Sequence, residues 1–323
     1  MNILIIGLGV IGTTYGYLFQ KANHNVEHYI RKDSPNNFVS ELDIQLLDGR
    51  IDPKGVLITD RYRVNHCKNK QYDIIFVSVP SGGIERVIKC LKNDKITGTI
   101  ILCCGIWEDK NYLNKTMEDQ SYILGYPVAG GNISEGSLQA CVFDHFMLEN
   151  EKSSNIQNYN DVISTFNGCN IKLEQPYDML EWIWLHMAIN AAVVSVAGSY
   201  GDINNTSLSA EKLMESPQML AKAINAIRET SKIIESRNVN LKNYNNELLV
   251  YKLPTFVSSH LMKRMFANNI LTRKIMTLHG NINDLIFVCK SLYDTGRAKR
   301  ISAPIFYSCC EDILKRFESA DKK

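Results

Sequence analysis

The hydrophobic pattern of this chain changes once along its length. Up to residue 174, short apolar runs rich in β-branched side chains recur between polar segments, which is typical of buried strands in a mainly parallel sheet. We predict strands at residues 3–6, 26–30, 56–59, 72–79, 98–104 and 121–125, and antiparallel strands at 141–149 and 170–173. Helices are predicted between them at 13–22 and 84–91.

From residue 176 onward the strand-like runs end and helical periodicity takes over. Helices are predicted at 178–197, 209–237, 282–294 and 304–317, with either one helix or two broken helices at 254–278. Ser209 is predicted as an N-cap and Pro304 as a first-turn residue. The sequence therefore predicts an α/β protein. A Rossmann-type dinucleotide-binding domain covers residues 1–174, and an all-α C-terminal domain for substrate binding or dimerisation covers residues 175–323.

A glycine-rich turn directly follows the first predicted strand. It has the pattern G-x-G-x-x-G and consists of Gly7, Leu8, Gly9, Val10, Ile11 and Gly12. Glycines in this pattern allow a tight turn, a close approach of the backbone to a pyrophosphate, and close packing of the next helix on the strand. The free amides and positive dipole end of the helix at 13–22 suit the same phosphates. Because a second strand follows at βαβ distance, we predict that this turn binds a dinucleotide.

The residues after the second strand indicate which dinucleotide is bound. NAD-specific sites usually place Asp or Glu there, where the carboxylate accepts hydrogen bonds from the ribose 2′-hydroxyl. Here Arg31 and Lys32 follow the strand, and the first acid is Asp33. Two cations suit a 2′-phosphate, which arginine binds through paired N–H groups; the alternative is a pair of solvated basic residues. We predict NADPH.

Two further strands end in residues that we place beside the cofactor. Pro80 follows the strand at 72–79, and Cys104 ends the strand at 98–104. Open α/β sheets bind ligands at the carboxyl ends of their strands. We therefore include Pro80 and Cys104 in the predicted cofactor site.

Composition and charge give no reason to expect that the chain binds nucleic acid, a membrane or a metal ion. The 323 residues carry a formal net charge of +2, with 45% hydrophobic and 22% charged residues, so we expect neither nucleic acid nor a membrane as a partner. No apolar run is expected to reach transmembrane length, and the N-terminus lacks the cationic region of a signal peptide. The nine cysteines fit no C-x-x-C spacing, so we expect buried reduced thiols, no metal site and a cytoplasmic location.

One helix of the second domain carries a family resemblance. Its segment Trp184-Leu185-His186-Met187-Ala188-Ile189-Asn190 resembles the W-x-K-L-A-x-N helix of ketopantoate reductases (2-dehydropantoate 2-reductases). Arg31, the order of the domains and Ser258-Ser259 are similar to that family too. The resemblance implies an NADPH-dependent reductase of a small 2-oxo acid or a related carbonyl. It also implies that Asn190 holds the substrate, that Ser259 contacts the substrate carboxylate end, and that His186 occupies the position of the catalytic lysine.

His186 departs from the family but keeps the chemistry that carbonyl reduction needs. A cation or acid beside the carbonyl oxygen polarises it and delivers a proton as hydride arrives. An imidazolium can do both, since the unperturbed pKa of histidine is about 6.5. His186 and Asn190 are four residues apart and share one helix face. We predict His186 as the proton donor and Asn190 as the residue that orients the oxygen; the alternative is that His186 only packs there.

Two other departures leave further alternatives open. Cys104 stands where the family has an asparagine, and the acid of the family's T-E-I-D segment has no counterpart between residues 272 and 283, where His279 is the candidate instead. In the family that acid binds the substrate hydroxyl, so its absence favours a different substrate. The alternatives are a dinucleotide-binding protein without catalysis, and an opine or hydroxyacid dehydrogenase with histidine as proton donor. A homodimer is the default expectation.

Overall fold

The chain divides into two units in the computed structural model, which describes residues 1–118, 120–278 and 281–320. The units are Met1–Leu180 and Glu181–Lys323. The division lies a few residues beyond the boundary placed at residue 174, because the first helix of the helical part begins only at Met179.

Within the described residues, a nine-stranded sheet is the framework of the first unit. The strands are β1 (Asn2–Ile6), β2 (Asn25–Tyr29), β3 (Glu41–Asp48), β4 (Val56–Arg63), β5 (Gln71–Val77), β6 (Thr97–Leu102), β7 (Tyr122–Ser134), β8 (Ser137–Leu148) and β9 (Lys172–Glu174). Their order is β2-β1-β5-β6-β7-β8-β3-β4, with β9 beside β8. Neighbours from β2 to the start of β7 are parallel, whereas β7 and β8 form an antiparallel hairpin. The parallel part confirms the Rossmann-type expectation.

Strand β1, which lies between β2 and β5, is buried on both faces, since Ile3, Leu4 and Ile5 have no exposed surface. A continuous apolar run is what such a strand requires. The helices of this unit are α1 (Val10–Lys21), α2 (Ile84–Asn93), α3 (Lys110–Met117) and α4 (Tyr159–Gly168). The run at residues 3–6 is therefore the strand that leads into the glycine turn.

Strands from both ends of the sheet enclose α1. The helix packs on β1 and β2 and also on β7 and β8, and residues 12–19 are all buried. The Tyr17 hydroxyl donates to the Asp60 carboxylate of β4 over 2.8 Å. Beyond β4, the backbone N–H of His28 donates to the carbonyl oxygen of Asn65 over 2.7 Å, which joins the far end of the sheet to β2. The helix that begins at the glycine turn is thus held by both ends of the sheet.

In the first unit, one strand and two α-helices are absent from the predicted set: β3, α3 and α4. Leu42, Ile44 and Leu46 of β3 are buried between exposed neighbours, which is the period-2 pattern of a half-buried strand. The prediction that residues 170–173 form an antiparallel strand was wrong, because β9 pairs with β8 in parallel. The reason is α4, which lies between the two strands in sequence and serves as the crossover that a parallel pair needs.

The described part of the second unit consists of helices and connecting turns, as the predicted all-α domain requires. The helices are α5 (Met179–Tyr200), α6 (Thr206–Glu215), α7 (Pro217–Glu235), α8 (Asn245–Lys252), α9 (Thr255–Asn268), α10 (Ile270–Leu278), α11 (Ile282–Ala298) and α12 (Pro304–Ala320).

The single helix predicted at 209–237 is two helices, α6 and α7. Pro217 begins α7, and the Ser216 hydroxyl caps that helix by accepting a hydrogen bond from the Met219 N–H over 3.2 Å. Ser209 lies inside α6, so its assignment as an N-cap was wrong. The cap of α6 is Asn205, whose side-chain oxygen accepts from the Leu208 N–H over 3.0 Å.

Helix α5 is the core helix of the second unit. The Thr230 hydroxyl of α7 donates to the carbonyl oxygen of Ala188 over 3.0 Å, and a Cβ on Gly198 would lie 2.8 Å from Ile313 of α12.

By length and composition alone, α5 could cross a membrane, so the expectation that no apolar run reaches that length was wrong. However, 67% of its most apolar 18-residue window is buried, which is the behaviour of a core helix.

Candidate functional site

The glycine turn has the geometry that its sequence predicts. Gly7 has a φ of +85°, a left-handed conformation that glycine adopts without steric cost, and its N–H donates to the carbonyl oxygen of Tyr29 over 2.9 Å. A Cβ on Gly12 would lie 2.7 Å from Cγ2 of Ile5. Helix α1 therefore packs closely on β1 because residue 12 has no side chain.

Gly9 faces open space. A Cβ at this position would meet no heavy atom within 4 Å, and the φ of −86° is accessible to any residue. The N–H groups of the first turn of any α-helix have no intrahelical acceptor, and Gly9, the N-cap of α1, has no side chain that could accept from them. The fold itself does not require a glycine here. Open space in front of free amides fits the pyrophosphate of a dinucleotide.

A buried histidine fixes the glycine turn from within the fold. The His28 side chain of β2 places Nδ1 2.7 Å from the carbonyl oxygen of Gly7 and Nε2 2.6 Å from the hydroxyl of Tyr62 in β4. Because a carbonyl oxygen can only accept, we assign the proton to Nδ1, and Nε2 accepts from the Tyr62 hydroxyl. Burial lowers the pKa of His28 to about 4. A neutral imidazole thus holds the turn at neutral pH.

A cavity of about 180 Å³ lies beside the glycine turn, between the end of β2 and α2. Its lining residues are Ile6, Gly7, Leu8, Tyr29, Ile30, Arg31, Ser34, Val79, Arg86, Val87, Cys90 and Leu91. Arg31 borders this cavity, and its side chain is 51% exposed. Its guanidinium lies 3.7 Å from the Asp33 carboxylate, and a surface ion pair of this kind contributes little to stability. Lys32 is exposed and does not line the cavity. Apolar walls with a cationic edge fit the adenosine half of a dinucleotide.

The two residues predicted at strand ends differ in accessibility. Pro80 is exposed beyond β5, whereas Cys104 beyond β6 is buried and its thiol donates to the carbonyl oxygen of Val77 over 3.5 Å.

Among the described residues, the hydroxyl of Ser78 is buried without a hydrogen-bond partner, and it lies 3.1 Å from the position of a Cβ on Gly12. Ser78 thus lies next to the glycine turn, although it lines neither cavity there, and sequence reasoning did not single it out because a serine after a strand carries no motif.

A second cavity, of about 330 Å³, also borders the glycine turn. It is lined by Leu8, Gly9 and Val10, by Asn36, Val39 and Leu42, and by Asn132, Ile133, Ser134, Glu135 and Gly136 at the tip of the β7–β8 hairpin. The hairpin reaches the turn because β7 and β8 pack on α1. No sequence motif marks this hairpin, so its place at the site follows only from the fold.

The predicted catalytic residues share one face of α5. His186 and Asn190 are both partly exposed, one helical turn apart, whereas Met187 and Ala188 between them are buried. The His186 ring stacks on Trp182, with ring centroids 4.9 Å apart and planes within 13°. This stack holds the plane of the imidazole and places the negative face of an indole against it.

The other residues predicted from the family resemblance are less accessible. Ser259 of α9 is buried, and its hydroxyl donates to the carbonyl oxygen of Phe256 over 3.0 Å. Ser258 is fully buried, and its hydroxyl donates to the carbonyl oxygen of Val250 over 2.6 Å. Contact between Ser259 and a substrate therefore stays a prediction. His279 lies outside the described residues.

The N-terminal part of the chain matches a known family. Residues 3–105 match the family model of ketopantoate reductase PanE/ApbA. This segment contains the glycine turn, Arg31, Pro80 and Cys104, and it confirms the predicted resemblance for this part of the chain. Comparison with curated protein sequences finds no match.

Solved structures are similar to the whole chain at low sequence identity. A 2-dehydropantoate 2-reductase from Methylococcus capsulatus has a TM-score of 0.62 at 17% identity, covering 100% of this chain and 98% of that chain. D-mandelate dehydrogenase, solved with NADH and anilino(oxo)acetate, has a TM-score of 0.70 at 12% identity, covering 99% of both chains. Yersinopine dehydrogenase with bound NADP⁺ has a TM-score of 0.60 at 10% identity, covering 99% of this chain and 91% of that chain. The fold is therefore ketopantoate reductase-like, which confirms the predicted fold class.

Proposed function

We propose that this chain is an NADPH-dependent reductase of a small 2-oxo acid or a related carbonyl compound. The glycine turn carries the proposal, because open space at Gly9 adjoins free amides and two cavities in the part that matches the ketopantoate reductase family. Proteins of similar fold have been solved with nicotinamide cofactors, D-mandelate dehydrogenase with NADH and yersinopine dehydrogenase with NADP⁺. Such a cofactor, when bound, supplies the hydride for carbonyl reduction.

The choice of NADPH is supported by the charges around the cavity of about 180 Å³ between the end of β2 and α2, which we call the adenosine cavity. Its lining residues include two arginines and no carboxylate. NAD-specific sites instead place Asp or Glu at the end of the second strand. The Asp33 side chain is 76% exposed and does not line the cavity. A phosphate on the adenosine ribose would be attracted here, whereas an uncharged 2′-hydroxyl would find no acidic acceptor.

We assign the proton donor to His186 and the orientation of the carbonyl to Asn190. When protonated, the His186 imidazolium can donate its proton to the carbonyl oxygen as that oxygen gains negative charge. The Asn190 amide N–H can donate a hydrogen bond to the same oxygen and so hold the substrate in one orientation. The Trp182 stack supports this assignment, because it fixes the plane from which His186 donates.

A second candidate function is a dinucleotide-binding protein without turnover. The observation that favours it is Cys104, whose buried thiol bonds to Val77 where the family has an amide side chain. A third candidate is a hydroxyacid or opine dehydrogenase with histidine as the proton donor, and the similarity of fold to D-mandelate and yersinopine dehydrogenases supports it. A panel of carbonyl substrates separates reduction of a 2-oxo acid, an opine-type reaction and dinucleotide binding without turnover.

The test is a panel of carbonyl substrates with the full-length chain. Ketopantoate, aliphatic and aromatic 2-oxo acids, and amino acid plus 2-oxo acid mixtures are each incubated with NADPH, and the loss of NADPH absorbance is followed. We expect turnover of at least one 2-oxo acid. Turnover only of the mixtures would indicate an opine-type reaction, and NADPH binding without turnover of any substrate would contradict the reductase proposal.

A further inference from the structure

We infer that Arg86 is a second residue that determines cofactor specificity: together with Arg31, it binds a phosphate on the 2′-position of the adenosine. The inference rests on the proposed function, because it names the part of NADPH that Arg86 recognises. Neither the sequence motif nor the family resemblance points to this residue.

The first observation is the position of Arg86 on the wall of the adenosine cavity. Helix α2 contributes Arg86, Val87, Cys90 and Leu91 to the lining. Val87 and Leu91 are buried and anchor the helix to the sheet, whereas Arg86 is exposed. Arg31 reaches the same cavity from the end of β2. The cavity is thus bordered by two arginines that come from separate parts of the chain, Arg31 after β2 and Arg86 in α2.

The second observation is that these cations lack strong counter-charges. The only partner of Arg31 among the described ion pairs is Asp33 at 3.7 Å, and Arg86 takes part in none of them. Nearby acids have other partners: Asp94 accepts from the Tyr29 hydroxyl over 2.6 Å, and Glu85 is hydrogen-bonded to Tyr112. The border of the cavity therefore carries positive charge that an anionic group would balance.

A phosphate monoester is the group that this arrangement suits. It carries nearly two negative charges and three acceptor oxygens, so two guanidinium groups can bind it from different sides. The Ser34 hydroxyl also borders the cavity; its oxygen accepts from the Asn36 N–H over 3.2 Å, which leaves its proton available to a phosphate oxygen. The 2′-hydroxyl of NADH carries no charge, so Arg86 should contribute to NADPH binding and little to NADH binding.

The experiment compares binding of three probes to the full-length chain by calorimetric titration. The probes are NADPH, NADH and 2′,5′-ADP, which carries the 2′-phosphate without the nicotinamide. We expect Arg86→Ala to weaken NADPH and 2′,5′-ADP about ten- to a hundredfold, the usual worth of a charge-assisted contact, and to change NADH less than about twofold. Arg86→Lys should fall between, because lysine keeps the charge but loses the planar fork.

Lys89→Ala is the matched control. Lys89 is an exposed cation on the same helix, one turn further on, and it does not line the cavity. Its removal should leave all three affinities unchanged, which excludes a general effect of net charge. Thermal unfolding of each variant shows that α2 remains folded.

Several outcomes would overturn the inference. Unchanged NADPH affinity in Arg86→Ala would show that the side chain does not reach the phosphate. Equal weakening of NADPH and NADH would show that Arg86 contacts the adenine or supports α2. If the wild-type chain prefers NADPH and only Arg31→Ala removes that preference, the Arg86 inference fails alone. If the wild-type chain binds neither NADPH nor 2′,5′-ADP, the proposed function fails with it.

Discussion

The two units of the chain differ in how they bring functional residues together. In the first unit, the candidate site combines the ends of β1, β2 and β5 with α2, which are distant in sequence and meet at the glycine turn. In the second unit, His186 and Asn190 lie on one helix that also forms the core. The first site is determined by the topology of a parallel sheet, whereas the second depends on the exposed face of α5.

This difference predicts that binding and catalysis can be lost separately. The largest effect should come from His186→Gln, which removes the proposed general acid. We expect the reductive kcat on an accepted 2-oxo acid to fall roughly 10²–10⁴-fold, with NADPH affinity unchanged because the cofactor residues lie in the first unit. Steady-state kinetics and NADPH titration measure the two quantities. Turnover at the parent rate would show that His186 only packs against Trp182.

The next effect concerns the histidine that supports the glycine turn. His28 has a pKa of about 4 in the folded chain, below the value of about 6.5 expected when unfolded. Between these pH values the unfolded chain binds a proton that the folded chain does not, so the free energy of unfolding should fall as the pH is lowered. The contribution lost is about 3 kcal/mol.

The measurement is urea unfolding from pH 7 to pH 4 of the wild-type chain and of His28→Gln. His24, whose pKa is also lowered by burial, is present in both proteins, so its contribution cancels in the difference. We expect the wild-type chain to lose more stability with falling pH than the variant does. Parallel pH profiles would contradict the assignment of a buried neutral His28.

Two glycines of the same turn should give opposite results. Gly12→Ala places a methyl group 2.7 Å from the buried Ile5 side chain, which should lower the free energy of unfolding by about 1–3 kcal/mol. Chemical denaturation checks this. Unchanged stability would mean that β1 and α1 can separate, and that Gly12 is not needed for their packing.

Gly9→Ala should leave stability unchanged, because a Cβ there meets no atom within 4 Å. The methyl group would instead occupy the space assigned to the pyrophosphate, so NADPH and NADH affinity should both fall roughly tenfold. Titration of both cofactors, with Gly12→Ala as the comparison, makes the test. Full cofactor affinity in Gly9→Ala would place the pyrophosphate elsewhere.

The sequence predicted the residues whose role depends on local order along the chain. The glycine turn follows a strand and precedes a helix, so its geometry and the border position of Arg31 could be inferred without a structure. The pairing of His28 with Tyr62 could not, because these residues meet only when β4 closes over α1. The alternating pattern of β3 was present in the sequence and was missed.

Packing also determines the accessibility of Ser259 in the second unit. The burial of Ser259 depends on how α9 packs, which hydrophobic periodicity does not specify. Its role in substrate binding, the homodimer and the cytoplasmic location stay predictions. The coarse fold was predictable because the change from strand-like runs to helical periodicity spans many residues. A wrong prediction for a single residue or element end therefore does not alter the predicted fold class.

The central claim is that the first unit binds NADPH through the glycine turn and the cationic edge of the adenosine cavity. The most direct test is titration of the wild-type chain and of Arg31→Ala with NADPH and NADH, followed by nicotinamide fluorescence. We expect the wild-type chain to prefer NADPH, and Arg31→Ala to lose NADPH affinity roughly ten- to a hundredfold with NADH affinity barely altered. Equal losses for both cofactors, or no binding of either to the wild-type chain, would contradict the account.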